Sequence, residues 1–212
     1  MNLIDHLLQA TSDTHALITP KGKVSYCDLI TEAKALQPYL VGRTVLLHTR
    51  NPEDFIKMLA ASDGIAESII IAPSDLQYAT LEHLTKTLCP DIVLSSAPEL
   101  FKKDGAGFLP ASTHLVTDIQ QLVNLPVRVE ETKKDNTAWY LTTSGTTGTP
   151  KVVKHSLATL TKTIKKSSRR KKALRWGLLY DPSRFAGLQV VLQSMLLGQT
   201  LVIPTQTDFN SQ

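Results

Sequence analysis

Three short apolar runs, Thr44 to His48, Ser68 to Ala72 and Asp91 to Leu94, alternate with segments whose apolar residues recur at helical spacing. No other feature narrows the fold as much. The runs are rich in Val, Ile and Leu, as expected of strands covered on both faces. After the first run, Asn51-Pro52 supplies a cap and a first-turn proline for a helix through Phe55 to Ala61, with Gly64 as its stop. After the second, Ser74 with Gln77 opens a helix whose buried stripe is Leu81, Leu84 and Leu88. Parallel strands require crossovers of this length, so the predicted class is α/β, a parallel sheet with helices on both faces.

The flanks extend this pattern. Leu3, Ile4, Leu7 and Leu8 share one face of a short N-terminal helix, and Ser25 with Asp28 forms a capping box for a helix that buries Leu29, Ala33, Leu36 and Leu40. From Ser95 to Asn136 the periodicity weakens around Lys102-Lys103-Asp104-Gly105 and Pro110. That stretch reads as linking structure with short strands near Leu115 and Val127. Strands follow at Trp139 to Thr142 and Val152 to His155, then a helix that Ser156 caps. The chain divides into residues 1–136 and 137–212.

Between those last strands lies Leu141-Thr142-Thr143-Ser144-Gly145-Thr146-Thr147-Gly148-Thr149-Pro150-Lys151. Glycines free the backbone to turn and aim its amides at an anion, hydroxyls add donors and can ligate magnesium, and Lys151 adds a point charge. The stretch has the chemistry of a phosphate grip. It does not fit the pattern G-x-x-x-x-G-K-[ST], because Gly145 and Gly148 are too close and Val152 follows the lysine. On composition alone, a Thr/Gly hairpin turn is the competing reading.

The order of residues from Thr143 to Lys151, nine consecutive positions, resembles the signature loop of the adenylate-forming enzymes: acyl-CoA synthetases, peptide-synthetase adenylation domains and luciferases. Val152 departs from the glycine these enzymes often carry there. Gly22 to Leu29 and Asn51 to Phe55 resemble the family's early strand-helix starts. Leu178 to Leu188 and Leu196 to Pro204 resemble its substrate-pocket segment and the strand beyond. The resemblance implies that the chain is an incomplete, N-terminal part of the family's large domain, with the phosphate-loop segment and the start of the pocket subdomain in residues 137–212. It implies ATP and Mg2+ at Thr143, Ser144, Gly145, Thr146, Thr147, Gly148 and Lys151, with Thr147 as the magnesium ligand. Substrate contacts fall to Tyr180, Asp181, Arg184, Phe185 and Gly187.

The pocket segment leaves the substrate open. Acyl-CoA synthetases tend to have histidine at the position of Arg184, whereas Tyr180-Asp181-Pro182-Ser183 fits the aromatic-Asp-x-Ser of amino-acid activators, whose aspartate pairs with the substrate ammonium. Equally, Asp181 can simply start a turn before Pro182. An Arg184 pointing into the pocket would suit a second substrate carboxylate. The implied reaction is attack of a carboxylic or amino acid on the α-phosphate of ATP, then capture by a CoA or carrier-protein thiol. The family's magnesium-binding Glu stretch, ribose-binding aspartate and C-terminal catalytic lysine are not found in this sequence, so no catalytic residue is assigned and the chain alone is expected to be inactive. A non-catalytic nucleotide- or partner-binding module, or half of a split enzyme, is the alternative.

Charge and composition weigh on partners and location. The net charge of +4 is concentrated in Lys162, Lys165, Lys166, Arg169, Arg170, Lys171, Lys172 and Arg175. With no aromatic interleaved between Lys162 and Lys172, this run reads as a solvated surface in preference to a nucleic-acid site. The histidines show no metal spacing. No segment approaches a membrane span and no leader pattern opens the chain, so a cytoplasmic protein without a membrane partner is expected, with Cys27 and Cys89 as buried, reduced thiols. Self-association is expected through Thr200 to Ile203, whose strand partners the resemblance assigns to sequence not present.

Overall fold

The three apolar runs form the middle of a six-stranded sheet. The computed structural model describes residues 1–10, 14–103, 106–128, 136–143, 151–164 and 174–204. The runs become β3 (Thr44–His48), β4 (Ser68–Ile71) and β5 (Ile92–Ser95), preceded by α1 (Leu3–Leu7), the hairpin β1 (His15–Thr19) and β2 (Gly22–Ser25), and α2 (Tyr26–Leu36). Helix α3 (Pro52–Ser62) joins β3 to β4, and α4 (Tyr78–Leu88) joins β4 to β5. A small ribbon, β6 (Lys102–Lys103) with β7 (Ala106–Gly107), leads to β8 (His114–Val116). The chain continues with β9 (Ala138–Thr143), β10 (Lys151–His155), α5 (Leu157–Thr161), β11 (Arg175–Gly177), α6 (Phe185–Leu196) and β12 (Thr200–Val202).

The sheet order is β10-β9-β4-β3-β5-β8, with all neighbours parallel except the antiparallel pair β9 and β10. From β3 the chain moves one way to β4, then passes back over β3 to β5, which places the two crossover helices on opposite faces. Phe55, Ile56 and Leu59 of α3 pack with Val45, Leu47, Ile69 and Ile71. Leu81 and Leu84 of α4 pack with Leu46, Ile70 and Val93 on the other side. The α/β expectation holds for this sheet, and the continuous burial of β4 and β5 explains why their sequences do not alternate.

A second, four-stranded sheet, β11-β12-β1-β2, covers the α3 side of the core. Periodicity pointed to one sheet. The second escaped because it joins chain ends: β12 runs parallel to β1 with Leu17 opposite Leu201 and Ile18 opposite Val202. Both sheets take strands from either side of residue 136. Strand β12 therefore has partners on both sides, β1 and β11, and the open edge expected at Thr200 to Ile203 is not there.

Other local expectations shift for physical reasons. Helix α1 has its capping box between Asn2 and Asp5 and buries Leu3, Ile4 and Leu7, but Leu8 is its C-cap and is exposed. Ser25 and Asp28 form the box that starts α2, with Asp28 N–H donating to Ser25 Oγ at 3.0 Å. Helix α4 starts later than Ser74, at Tyr78 after Gln77, and no side chain caps it. Of the two short strands expected in the linking stretch, the one near Leu115 is β8, paired in parallel with β5, whereas Val127 is exposed and outside any strand. Cys27 and Cys89 are exposed, the first on the outer side of α2 and the second at the C-cap of α4. Among the described residues no helix is long and apolar enough to cross a membrane.

Buried polar groups tie these layers together. Asp63, 3% exposed at the end of α3, accepts hydrogen bonds from Leu3 N–H and Trp139 Nε1–H, each at 2.8 Å. It so joins α1, α3 and β9, and burial pushes its carboxyl above the ordinary range. Gly64, at φ +82°, makes the turn away from α3, where a Cβ would lie 2.6 Å from the Asn2 side chain. Tyr26 Oη donates to Gln199 O at 2.7 Å and fastens α2 to the turn before β12.

Candidate functional site

Strands β9 and β10 pair in antiparallel register from Trp139 with His155 to Thr143 with Lys151. The phosphate-loop sequence thus closes a β-hairpin, as both readings of it required. Ser144, Gly145, Thr146, Thr147 and Gly148 lie outside the described residues. Thr143 is the last residue of β9, and Lys151 is exposed as the first of β10. At the base of the loop, the hydroxyl of Thr142 is buried without a hydrogen-bond partner among the described residues, the kind of polar group that a bound ligand or water normally satisfies.

Strands β9, β4, β3 and β5 all end on the same side of the sheet. Strand β3 is where the winding reverses, so the crevice beside its carboxyl end is the default ligand position in an open α/β sheet. A cavity of about 410 Å³ is there. Thr49 and Arg50 line it from the loop after β3, Pro52 from the start of α3, and Ser74 from the loop after β4. The second sheet contributes Leu178 to Pro182 after β11 and Ile203-Pro204 after β12. The carboxyl ends of both sheets therefore converge on one crevice.

The loop after β3 is held by side chains. Thr49 Oγ1 and Ser96 Oγ share a hydrogen bond of 2.8 Å, Arg50 N–H donates to Ser96 Oγ at 3.0 Å, and Asn51 N–H donates to Thr49 Oγ1 at 3.1 Å. Below it, His48 is 1% exposed, with Nδ1 bonded to Ser95 Oγ at 2.9 Å and its ring edge-on to Phe101. Burial, then the nearby Arg50 charge, pushes this imidazole below its ordinary pKa, opposed more weakly by Glu99 and by a hydrogen bond with the Ser74 backbone.

Of the substrate residues expected from sequence, Tyr180 and Asp181 line the crevice. Tyr180 is exposed, as is Phe185. Asp181 Oδ1 accepts from Ser183 N–H at 2.8 Å and from Ser183 Oγ–H at 2.5 Å, while Arg184 N–H donates to Asp181 O at 3.0 Å, so the carboxylate organises a turn. Gly187 lets α6 approach that turn: a Cβ there would lie 2.1 Å from the Asp181 carbonyl oxygen. Arg184 pairs through Nη2 with Asp75 Oδ2 at 2.5 Å, an exposed bridge between the walls of the crevice. Thr49 and Arg50 were not singled out from sequence, and Ser74 only as a helix start. Their one signal was position, immediately after strands that end beside a winding reversal.

Residues 6–212 match the family described as AMP-binding enzyme. The 2-succinylbenzoate–CoA ligase of Bacillus licheniformis is 24% identical to this chain over 217 residues, a match that takes in 98% of the chain and 45% of the ligase. Among solved structures, the o-succinylbenzoate coenzyme A synthetase of Bacillus subtilis in complex with ATP and magnesium superposes with a TM-score of 0.79 at 17% identity, over 99% of this chain and 46% of that one. The N-terminal domain of FACL13 from Mycobacterium tuberculosis gives 0.74 at 17% identity, over 97% and 57%. The chain thus spans about half the length of the relatives it matches. With a match extending over nearly all its residues, the chain belongs to the AMP-binding enzyme family.

Proposed function

We propose that this chain is the N-terminal part of an ATP-dependent ligase that activates a carboxylic acid as its acyl-adenylate, with CoA or a carrier-protein thiol as the acceptor. The observation that carries this reading is the register of the β9–β10 hairpin, Thr143 opposite Lys151, which holds the two ends of the signature loop at the carboxyl edge of the doubly wound sheet. Ser144, Gly145, Thr146, Thr147, Gly148 and Lys151 are the residues that would hold the phosphates of ATP, and Thr147 its magnesium. The unpartnered Thr142 hydroxyl at the loop base and the exposed Lys151 at its mouth fit an anionic ligand. ATP supplies the electrophilic phosphorus and the pyrophosphate leaving group. The chain's own contribution is to position the acid and neutralise charge, which are the main means of lowering such a barrier. The crevice beside β3, two strands from β9, is where the acid would lie.

Calorimetry of Mg-ATP and of pyrophosphate against the chain tests this reading. The Thr147→Ala, Lys151→Ala double variant should lose most of the heat while keeping the same thermal unfolding midpoint. Equal heats from wild type and variant would overturn the loop assignment.

A further inference from the structure

We propose that Arg50 recognises a second carboxylate on the acid substrate, remote from the one that reacts, and so selects dicarboxylic acids. This deepens the ligase reading and rests on it. Arg50 stands where two cavities meet, the 410 Å³ crevice already described and a neighbouring one of about 310 Å³ bounded by Thr19 to Lys21 and the start of α3. It lines both, together with Pro52, Ile203 and Pro204.

The carboxylates around it are engaged elsewhere. Glu53 holds Lys57 at 2.7 Å, Glu32 holds the same ammonium, and Asp75 holds Arg184. The Asp181 carboxylate is turned to Ser183. Among the described residues the Arg50 guanidinium has neither an ion pair nor a side-chain hydrogen bond; its recorded bond is from the backbone N–H to Ser96. An arginine that fronts a crevice without a carboxylate of its own retains a full set of donors, and its planar fork matches a carboxylate with two parallel bonds.

The surroundings specify the rest of the ligand. Leu178, Leu179 and Ile203 offer an apolar wall for a hydrocarbon or aryl body. The loop carrying Arg50 is already fixed by Thr49, Ser96 and Asn51, so little ordering remains to be done on binding. Strand β9, which leads into the phosphate hairpin, ends two strands from β3. At a strand spacing of about 4.8 Å this gap is about 10 Å, within the combined reach of an arginine and a small diacid.

The test is calorimetry on the chain without nucleotide, using 2-succinylbenzoate as the diacid probe and the monoacid that lacks its ring carboxylate. Wild type should bind the diacid about tenfold more tightly, a difference of about 1.4 kcal/mol. In Arg50→Gln the ratio should fall to about one, and in Arg50→Lys it should be partly restored, all three proteins unfolding at the same temperature. Equal binding of both acids by wild type, no binding of either, or a preference that survives in Arg50→Gln would each overturn the proposal. Displacement of both acids alike by inorganic phosphate would assign the guanidinium to a phosphate group, as on the thiol cofactor, and would also overturn it. The Thr147→Ala, Lys151→Ala variant separates the two readings: if it keeps the diacid preference while wild type fails to bind Mg-ATP, the ligase reading falls and the pairing at Arg50 stands.

Discussion

The two sheets of this protein are built by different rules. At the centre of the large sheet α3 joins β3 to β4 and α4 joins β4 to β5, the strands are buried on both faces, and their order follows from these two crossovers, residues 49–67 and 72–91. The strands of the small sheet are only partly buried, and its central pair brings Leu17 against Leu201. Local pattern dictates the first, whereas the second forms only when the core already holds both chain ends. Yet Leu17 and Leu201 share one continuous buried cluster with Val45, Leu47 and Ile69. The small sheet is a wall of the same core.

The comparison breaks if the sheets unfold separately. Leu47 in β3 and Leu201 in β12 are both fully buried, so truncating either to alanine should cost about 2–5 kcal/mol. Both variants should show a single thermal transition, shifted down and coincident by far-UV circular dichroism and tryptophan fluorescence, because Trp139 lies in the large sheet and Trp176 in the small one. A second transition in Leu201→Ala alone would show the small sheet to be an independent unit.

The same contrast explains what was legible in sequence. Strands β3, β4 and β5, with helix α3, could be placed to within a residue or two, because each is specified by its own pattern; helix α2, expected to run to about Leu40, ends at Leu36, where a 3-10 turn at Gln37–Tyr39 takes over. Strands β1 and β11 could not, since the short, half-exposed Arg175–Gly177 carries no period of its own. Strand β8 is the short strand expected near Leu115, and its three residues pair with the edge of β5. At the site, the loop was read from residue order, and its hairpin followed from the two β-branched flanks. Arg50 was not singled out. A lone arginine between a strand and a helix looks like any solvated charge, and its meaning depends on Leu178 and Ile203 arriving from the far end of the chain.

A pH titration sharpens the contrast within the large sheet. His48 is buried beneath the carboxyl edge, and its folded-state pKa is depressed, first by burial and then by Arg50. Above the ordinary histidine value of about 6.5 the imidazole is neutral in both states, and its contribution to stability is fully present. As pH falls below that value the unfolded chain takes up a proton that the folded chain resists, so stability declines until the folded pKa is reached. One proton gives a slope of at most about 1.4 kcal/mol per pH unit. Denaturant melts of wild type and His48→Gln from neutral pH downward should differ by this slope. Parallel curves would mean that His48 takes its proton in the folded state as readily as in the unfolded one.

The smallest effect is expected where the two sheets touch through charge. Arg184 and Asp75 join the turn before α6 to the loop after β4, but their side chains are 50% and 64% exposed. An exposed pair of this kind contributes about 0–1 kcal/mol, because solvent screens the attraction and two side chains lose freedom to make it. Arg184→Ala should therefore shift the unfolding midpoint by no more than a degree or two at low salt, roughly the scale of a few tenths of a kcal/mol in a chain of this size. The shift should vanish at about 1 M salt, where the Debye length is only about 3 Å. The crevice does not need this bridge to exist, since Gly187 already seats α6 on the Asp181 turn by direct backbone packing. A large, salt-independent loss in Arg184→Ala would show instead that the bridge sets the distance between the crevice walls, and the diacid preference should then fall in that variant as well.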